Sequence, residues 1–335
     1  GLKIPMIAGR GLEHTGGTID KLESISGYNT ALTPEEITKI VNEVGCVITT
    51  QTKEMIPADR ILYATRDLTS TVASIPLITG SIISKKAAEG ISCLVLDIKV
   101  GSAAFMKDLN SAIELANSMV KTGNLMGIKT TALLTEMNNP IGYMSGNALE
   151  IIESIDILNG SGPKDCLELI ISEGAELLLL SGLEESEENA KEKISKVLKN
   201  GAALEKFKLM MISQGVNEKY ANEICLNPKI LIKTCKFKSE IFTKISGNIA
   251  SINAMKIAQF ILDNGGGRNH INQSINHNIG VELHVKVGDY HDSKKPWATI
   301  YYDEELEVSN QLINCIEITE ENIERKSRIL KKICE

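Results

Sequence analysis

The 335-residue sequence has few aromatic residues, no excess of positive charge and no long apolar run. Aromatic residues make up 4% of the chain, so aliphatic side chains must build most of any core. Lys and Arg number 36 against 43 Asp and Glu, which argues against a general nucleic-acid binder with its clustered basic face. The apolar run at 175–180 contains Glu176 and is far too short to span a bilayer. We therefore expect no nucleic-acid partner and no membrane partner.

Motifs for metal binding are also missing. The seven cysteines are scattered and include no C-x-x-C pair, which argues against zinc ribbons and disulfide scaffolds and favours a reducing, cytoplasmic location. Four of the five histidines follow one another at intervals of seven residues. Residues 281–287 have the pattern of a strand, so a helical repeat does not align these rings, and we expect no metal site.

The order of predicted elements indicates an α/β fold with a mainly parallel sheet flanked by helices. Apolar strand patterns alternate with helical patterns over 1–56 and 90–230, which we assign to one α/β domain. Residues 57–89 show two helical patterns and no strand between them. From 231 to 335 the pattern changes to short β segments, at 241–252, 281–287 and 297–302, and predicts a C-terminal α+β subdomain.

Short sequence patterns predict where several of these helices and strands begin. Thr33, Pro34 and Glu36 form a capping-box pattern, which predicts a helix start before a strand at 46–50. Residues 92–98 are almost wholly apolar, as expected of a strand that is covered on both faces. Ser74-Ile75-Pro76 predicts the start of a second helix in the 57–89 segment.

A glycine-rich stretch from Gly9 to Lys21 is the densest motif in the chain. Four glycines within nine residues allow the backbone to approach a ligand closely. The loop leads to a helix N-terminus, which favours an anion. His14 occupies the third glycine position of a dinucleotide fingerprint, and no Gly-Lys-Ser/Thr follows as in a P-loop. The pattern alone leaves an anion site and a tight structural turn as alternatives.

The helical segment carries the second group of polar residues, namely Tyr63, Arg66, Ser81 and Lys85. Ser81 and Lys85 are four residues apart and share one helix face. Together with Arg66 they have the chemistry to hold a flat heterocycle with two carbonyl groups and to stabilise negative charge on it. The alternative is a solvated helix face with surface ion pairs.

These two groups together resemble the thymidine and pyrimidine-nucleoside phosphorylase family. The resemblance extends over essentially the whole chain and is slightly closer to the thymidine branch. Its motifs are GRGLEHTGGTIDKLES (9–24), PADRILYATRD (57–67), SIPLITGSIISKK (74–86), LDIKVGSAAFM (96–106), NALEIIESIDILNGSGPKD (147–165), GGGR (265–268) and VGDYHDSKKPWATIY (287–301).

The resemblance implies reversible phosphorolysis of thymidine to thymine and 2-deoxyribose 1-phosphate, and it leaves other pyrimidine nucleosides such as uridine open as substrates. It implies inorganic phosphate as co-substrate and no metal or organic cofactor. It makes 57–89 the base-binding segment and the α/β domain the phosphate side, and it implies a homodimer for the full-length form. Arg66 and Lys85 fall on catalytic positions. The implied site residues are Arg66, Ser81, Lys85, Tyr63 and Leu12 for the pyrimidine and Thr18 for phosphate.

Two departures from the family pattern keep alternatives open. Ala8 stands where the family usually has a phosphate-binding serine, and the Lys-His-Ser-Thr-Gly-Gly loop that the family carries nearer its N-terminus is absent. We expect a fragment of a longer enzyme. The alternatives are a catalytically dead relative that binds pyrimidines, an active variant with other phosphate ligands, a phosphoribosyltransferase of the anthranilate type, and a non-enzymatic binding module.

Overall fold

The computed structural model describes residues 1–11, 16–51, 56–59, 62, 71, 74–268, 273–304 and 312–334. Strand β1 (Ile4–Ala8) runs parallel to β2 (Cys46–Thr50), and β3 (Cys93–Val100) runs parallel to β4 (Lys129–Glu136). Parallel neighbours need a crossover connection, and helices supply it in both pairs. The predicted α/β class is confirmed. Within the described ranges the parallel strands form two separate pairs rather than one sheet.

The described part of the connection from β1 to β2 contains two helices, α1 (Thr18–Leu22) and α2 (Pro34–Glu43). The predicted capping box is confirmed, because Glu36 N donates to Thr33 Oγ1 at 3.2 Å and Thr33 N donates to the Glu36 carboxylate at 2.8 Å. Helix α2 therefore begins where its local sequence predicts.

Helix α3 (Ile75–Ala88) packs against α4 (Leu109–Leu125), which in turn packs against the β3–β4 pair. The start of α4 is capped by Asp108, whose Oδ1 accepts a hydrogen bond from Ser111 N at 3.0 Å. The core between these elements is aliphatic and includes Ile83, Leu96, Ala116, Met119 and Leu134. This core agrees with the expectation that aliphatic side chains build most of the hydrophobic core.

A run of helices follows the short strand β5 (Met144–Ser145). These helices are α5 (Asn147–Leu158), α6 (Lys164–Leu180), α7 (Glu187–Lys199), α8 (Ala202–Ser213) and α9 (Glu218–Leu226). Gly182 and Gly201 adopt positive φ values of 72° and 80°, which only glycine adopts easily, and they separate α6, α7 and α8. The inner faces of α5, α8 and α9 meet in a buried aliphatic core with Ile152, Met211 and Ile224.

The C-terminal part is mostly antiparallel. Its elements are β6 (Phe237–Ile241), β7 (Gly247–Ile252), α10 (Ala254–Ile261), β8 (Gly280–Leu283), β9 (Tyr290–His291), β10 (Ala298–Tyr302), β11 (Ile316–Thr319) and β12 (Ile329–Ile333). One sheet has the order β5-β8-β10-β6 and another has the order β11-β7-β9. Trp297 is fully buried in the core between them.

Two strand pairs cross the boundary predicted at residue 231. Strand β12 pairs with β4, and β5 pairs with β8, so the division into subdomains stays a prediction. The segments expected at 241–252 and 281–287 are interrupted, since β6 ends at Ile241 and β8 ends at Leu283, before Lys286 turns toward Asp165. In the described ranges, no helix has both the length and the apolar character needed to cross a membrane.

Candidate functional site

Helix α3 carries the first candidate site. Ser81 and Lys85 lie one turn apart, as predicted, and Lys85 Nζ donates a hydrogen bond to Ser81 Oγ at 3.0 Å. The same ammonium group lies 2.9 Å from Asp59 Oδ2. Ser81 and Asp59 are buried, whereas 25% of the Lys85 side chain remains exposed. We call Asp59, Ser81 and Lys85 the α3 cluster.

The sequence of α3 explains how this cluster is held. The helix begins after Ser74 with Pro76 in its first turn, where a missing N–H is harmless. Ile83 is buried in the core against β3 and β4 and anchors the turn between the two polar residues. A Cβ built at Gly80 meets nothing within 4 Å, so Gly80 itself lies on the exposed side of the helix.

Sequence reasoning missed Asp59. Its buried carboxylate and the Lys85 ammonium stabilise each other in place, because a buried charge without a partner costs several kcal/mol. The two residues lie on separate segments, so helical spacing gives no indication of their contact. The available signal was an acidic residue within the motif at 57–67.

The glycine-rich loop leads from the end of β1 to α1. A Cβ at Gly17 would lie 2.0 Å from Gly11 N and 2.5 Å from the Arg10 carbonyl carbon, so only glycine fits at this close approach. Thr18 is exposed and occupies the first position of α1, where free N–H groups favour an anion. The two described ends of the loop, at 10–11 and at Gly17, thus lie in direct contact just before the threonine predicted to bind phosphate.

Asp20 bonds to Arg10 and Gly11 at the start of the loop, and sequence reasoning also missed it. Its carboxylate is 2% exposed and accepts hydrogen bonds from Gly11 N at 2.6 Å and from Arg10 Nη1 at 3.3 Å. The third donor is Arg268 Nη1, from the GGGR motif of the C-terminal part. Arg10 Nη2 also donates to Glu23 Oε1 at 2.6 Å. Burial opposes the charged form of Glu23, but the hydrogen bonds from Arg10 and Thr30 and the charges of Arg10 and Arg268 together outweigh burial and lower the pKa of Glu23.

His277 lies next to the same network. Its carbonyl accepts a hydrogen bond from Ala148 N at 3.2 Å, at the start of α5. Burial lowers the pKa of His277, against the opposing charges of Glu23 and Asp20. Among the described residues, none supplies a hydrogen-bond partner to its buried Nδ1 atom. A histidine whose spacing was attributed to chance therefore lies beside the glycine-rich loop.

Comparison with known proteins identifies the family. A profile described as "Glycosyl transferase family, a/b domain" matches residues 1–204, and one described as "Pyrimidine nucleoside phosphorylase C-terminal domain" matches residues 248–319. The chain belongs to the thymidine and pyrimidine-nucleoside phosphorylase family. The resemblance seen in the sequence motifs is thereby confirmed.

Individual relatives agree with the two profiles. Thymidine phosphorylase of Rattus norvegicus is 41% identical over 307 residues, which cover 90% of this chain and 64% of the rat protein. Pyrimidine-nucleoside phosphorylase of Geobacillus stearothermophilus is 38% identical over 335 residues, covering 99% of this chain and 76% of that protein. The Staphylococcus haemolyticus protein of the same name is 39% identical, with 95% and 73% covered. The chain spans less than two thirds of the length of the rat relative.

The structure brings together part of the predicted phosphorylase site. Ser81 and Lys85 are in contact, and Thr18 opens α1 at the end of the glycine-rich loop. The other predicted pyrimidine-site positions, Leu12, Tyr63 and Arg66, lie outside the described residues, so their roles stay predictions. Ala8 is the last residue of β1 and places a methyl group where the family pattern has a hydroxyl.

A second polar site lies in a cleft of about 1320 Å³ between the 138–144 loop, the start of α6 and residues 323–328. Asp165 Oδ2 lies 3.0 Å from both Lys286 Nζ and Arg328 Nη2. We call these three residues the Asp165 clamp. Its cations also donate to backbone carbonyl groups, Lys286 to Pro140 at 3.2 Å and to Gly142, and Arg328 to Pro140 at 2.6 Å.

The same cleft contains a perturbed carboxyl group, Glu153. It accepts hydrogen bonds from Tyr143 N at 2.6 Å and Met144 N at 3.2 Å, yet burial dominates and raises the pKa of Glu153 to about 7. Where residues are described, no three His, Cys, Asp or Glu side chains come together as a metal site requires. The cleft therefore presents an ionic network whose members bond to one another and to the 138–144 loop.

Proposed function

We propose that this chain takes part in the reversible phosphorolysis of pyrimidine nucleosides, with thymidine giving thymine and 2-deoxyribose 1-phosphate. The observation that carries the proposal is the α3 cluster, in which Ser81 and Asp59 hold the Lys85 ammonium on a partly exposed helix face. Names of relatives from mammals and bacteria support it. In the proposal, Arg66, Tyr63 and Leu12 complete the pyrimidine site.

The proposed chemistry assigns Lys85 an electrostatic role. A phosphate oxygen forms a bond to C1′ of the sugar while the bond from C1′ to the base nitrogen breaks, and the electron pair leaves with the base. The leaving pyrimidine therefore gains negative charge on its ring and carbonyl oxygens. A positive group fixed beforehand stabilises that charge without reorganising during the reaction. Arg66 is assigned the same role, and no cofactor enters the proposal.

Phosphate is assigned to the glycine-rich loop and Thr18. The exposed start of α1 and its threonine hydroxyl are suited to an anion. Ala8 removes one hydroxyl donor relative to the family pattern, which should weaken phosphate binding by about 1 kcal/mol. Ala8 therefore favours a second candidate function, pyrimidine binding without turnover.

One assay separates the two candidates. Thymine release from thymidine is measured with the purified chain, with and without inorganic phosphate, and thymine binding is measured by calorimetry. Release that depends on phosphate supports phosphorolysis. Thymine binding without release supports the second candidate, and absence of both contradicts the assignment of the α3 cluster. Light scattering of the same sample tests the predicted homodimer.

A further inference from the structure

Asp20 differs from the other acidic residues near the glycine-rich loop, because each of its contacts is to a donor that shapes the loop or anchors it. Gly11 N donates to Oδ2 at 2.6 Å, and Gly11 lies within the loop itself. Arg10, the preceding loop residue, and Arg268 both reach Oδ1. The carboxylate is 2% exposed, so water does not replace these donors.

The anchor on the other side is itself fixed. Arg268 is nearly buried and donates through Nε to Gln273 O at 3.0 Å. The glycine turn before it is held by two further bonds, from Asn147 Nδ2 to Gly266 O and from Asn276 N to Gly265 O, both at 2.8 Å. Because this turn is held in place, the guanidinium group of Arg268 has a fixed position from which it orients the Asp20 carboxylate.

Both described ends of the loop pack closely around that carboxylate. A Cβ at Gly17 would lie 2.7 Å from Asp20 Oδ2 as well as 2.0 Å from Gly11 N. The carboxylate, the Gly11 amide and the Gly17 backbone thus pack in direct contact. A shift of the carboxylate would therefore shift Gly11 and Gly17, which lie on the two sides of the loop.

We propose that Asp20 is the positioning residue of the glycine-rich loop and that Arg268 orients it from the C-terminal part. A carboxylate repels phosphate, so Asp20 acts through the backbone of the loop and not by touching the anion. The expected effect on phosphate binding rests on the proposed function. The expected effect on amide exchange in the loop does not depend on it.

The test compares three variants of the full chain. Asp20→Asn keeps the shape of the side chain and removes its charge, and Arg268→Gln removes the orienting cation. Asp165→Asn is the matched control, because it likewise removes the charge of an aspartate that lies between two cations, here Lys286 and Arg328. Amide hydrogen exchange is measured on peptides that cover residues 8–17, and KM is measured separately for phosphate and for thymidine.

We expect Asp20→Asn and Arg268→Gln to speed exchange of the Gly11 amide by about tenfold, while Asp165→Asn leaves it unchanged. In the active chain the KM for phosphate should rise by about tenfold and the KM for thymidine by less than about twofold. Arg268→Lys should restore part of both effects, because it keeps the charge. The double variant, Asp20→Asn with Arg268→Gln, should exchange the Gly11 amide little faster than either single variant, since both single changes break the same Asp20–Arg268 contact.

Unchanged Gly11 exchange in a folded Asp20→Asn variant would overturn the proposal. Equal loosening of the loop by Asp165→Asn would overturn it as well, since the effect would then be general destabilisation. A wild-type chain without phosphate-dependent turnover contradicts the proposed function alone. The exchange measurement still decides the role of Asp20 in that case.

Discussion

Two lysines of this chain pair with aspartates at almost the same distance, Lys85 with Asp59 at 2.9 Å and Lys286 with Asp165 at 3.0 Å, in different surroundings. Lys286 is 12% exposed, and its ammonium also donates to two backbone carbonyl groups. Lys85 is 25% exposed and its ammonium bonds to the hydroxyl of Ser81 on its own helix. The distance between the lysine nitrogen and the aspartate oxygen alone therefore does not distinguish an ion pair that only stabilises the fold from one that could also contact a ligand.

The electrostatics of the clamp follow from its burial. Burial opposes the charged form of Asp165, but Lys286 and Arg328 outweigh it and lower the pKa of Asp165. Burial also lowers the pKa of Lys286, against the attraction of Asp165. The two cations of the clamp bond to backbone carbonyl groups and hold the loop at 138–144. The Lys85 ammonium of the α3 cluster instead bonds to two side chains, and 25% of the Lys85 side chain remains exposed.

The largest effect should come from Lys286→Met, which keeps the apolar stem and removes the ammonium. Pro140 O and Gly142 O lose a donor and Asp165 loses one of its two cations, so unfolding free energy should fall by about 3–5 kcal/mol. Urea denaturation measures this loss. The matched double change, Lys85→Met with Asp59→Asn, should cost only about 1 kcal/mol, because it removes the more exposed ammonium together with the buried carboxylate charge that would otherwise be left unpaired. Equal losses would remove the distinction between the two pairs.

The next largest effect should be on pyrimidine binding by Lys85→Met. Loss of a charge-assisted contact should cost about 1.5–3 kcal/mol, or roughly 10- to 150-fold in the dissociation constant for thymine. Calorimetry with thymine measures it, with Lys121→Ala on the exposed face of α4 as a control that should bind normally. Unchanged thymine affinity in Lys85→Met would make the α3 cluster structural, like the clamp.

A third variant, Glu153→Gln, tests the charge balance beside the clamp. The pKa of Glu153 is raised to about 7 in the folded chain, above its ordinary value of 4.5. The folded state therefore holds a proton that the unfolded state releases, and stability falls as pH rises from about 4.5 to 7. Glu153→Gln should flatten this slope and gain about 1–2 kcal/mol over wild type between pH 5 and pH 8. Parallel pH curves would contradict the raised pKa.

The comparison also shows what the sequence alone reveals. Helices α2 and α3 and strand β3 were predicted, because caps and apolar runs act over a few neighbouring residues. The Ser81–Lys85 contact was predicted for the same reason. The contacts from Asp165 to Lys286 and from Asp20 to Arg268 join residues more than a hundred positions apart. No local pattern specifies such a pair, since only the packed fold brings the charges together.

The smallest effect should come from His277→Asn beside the glycine-rich loop. Burial lowers the pKa of His277 below its ordinary 6.5, so the unfolded state takes up a proton first as pH falls below that value. Stability should therefore rise with pH through this window, and the variant should flatten the rise by less than about 1 kcal/mol. Urea denaturation from pH 5 to pH 7.5 measures it. A flattening as large as that of Glu153→Gln would show that the glycine-rich loop region is as sensitive to charge as the clamp region.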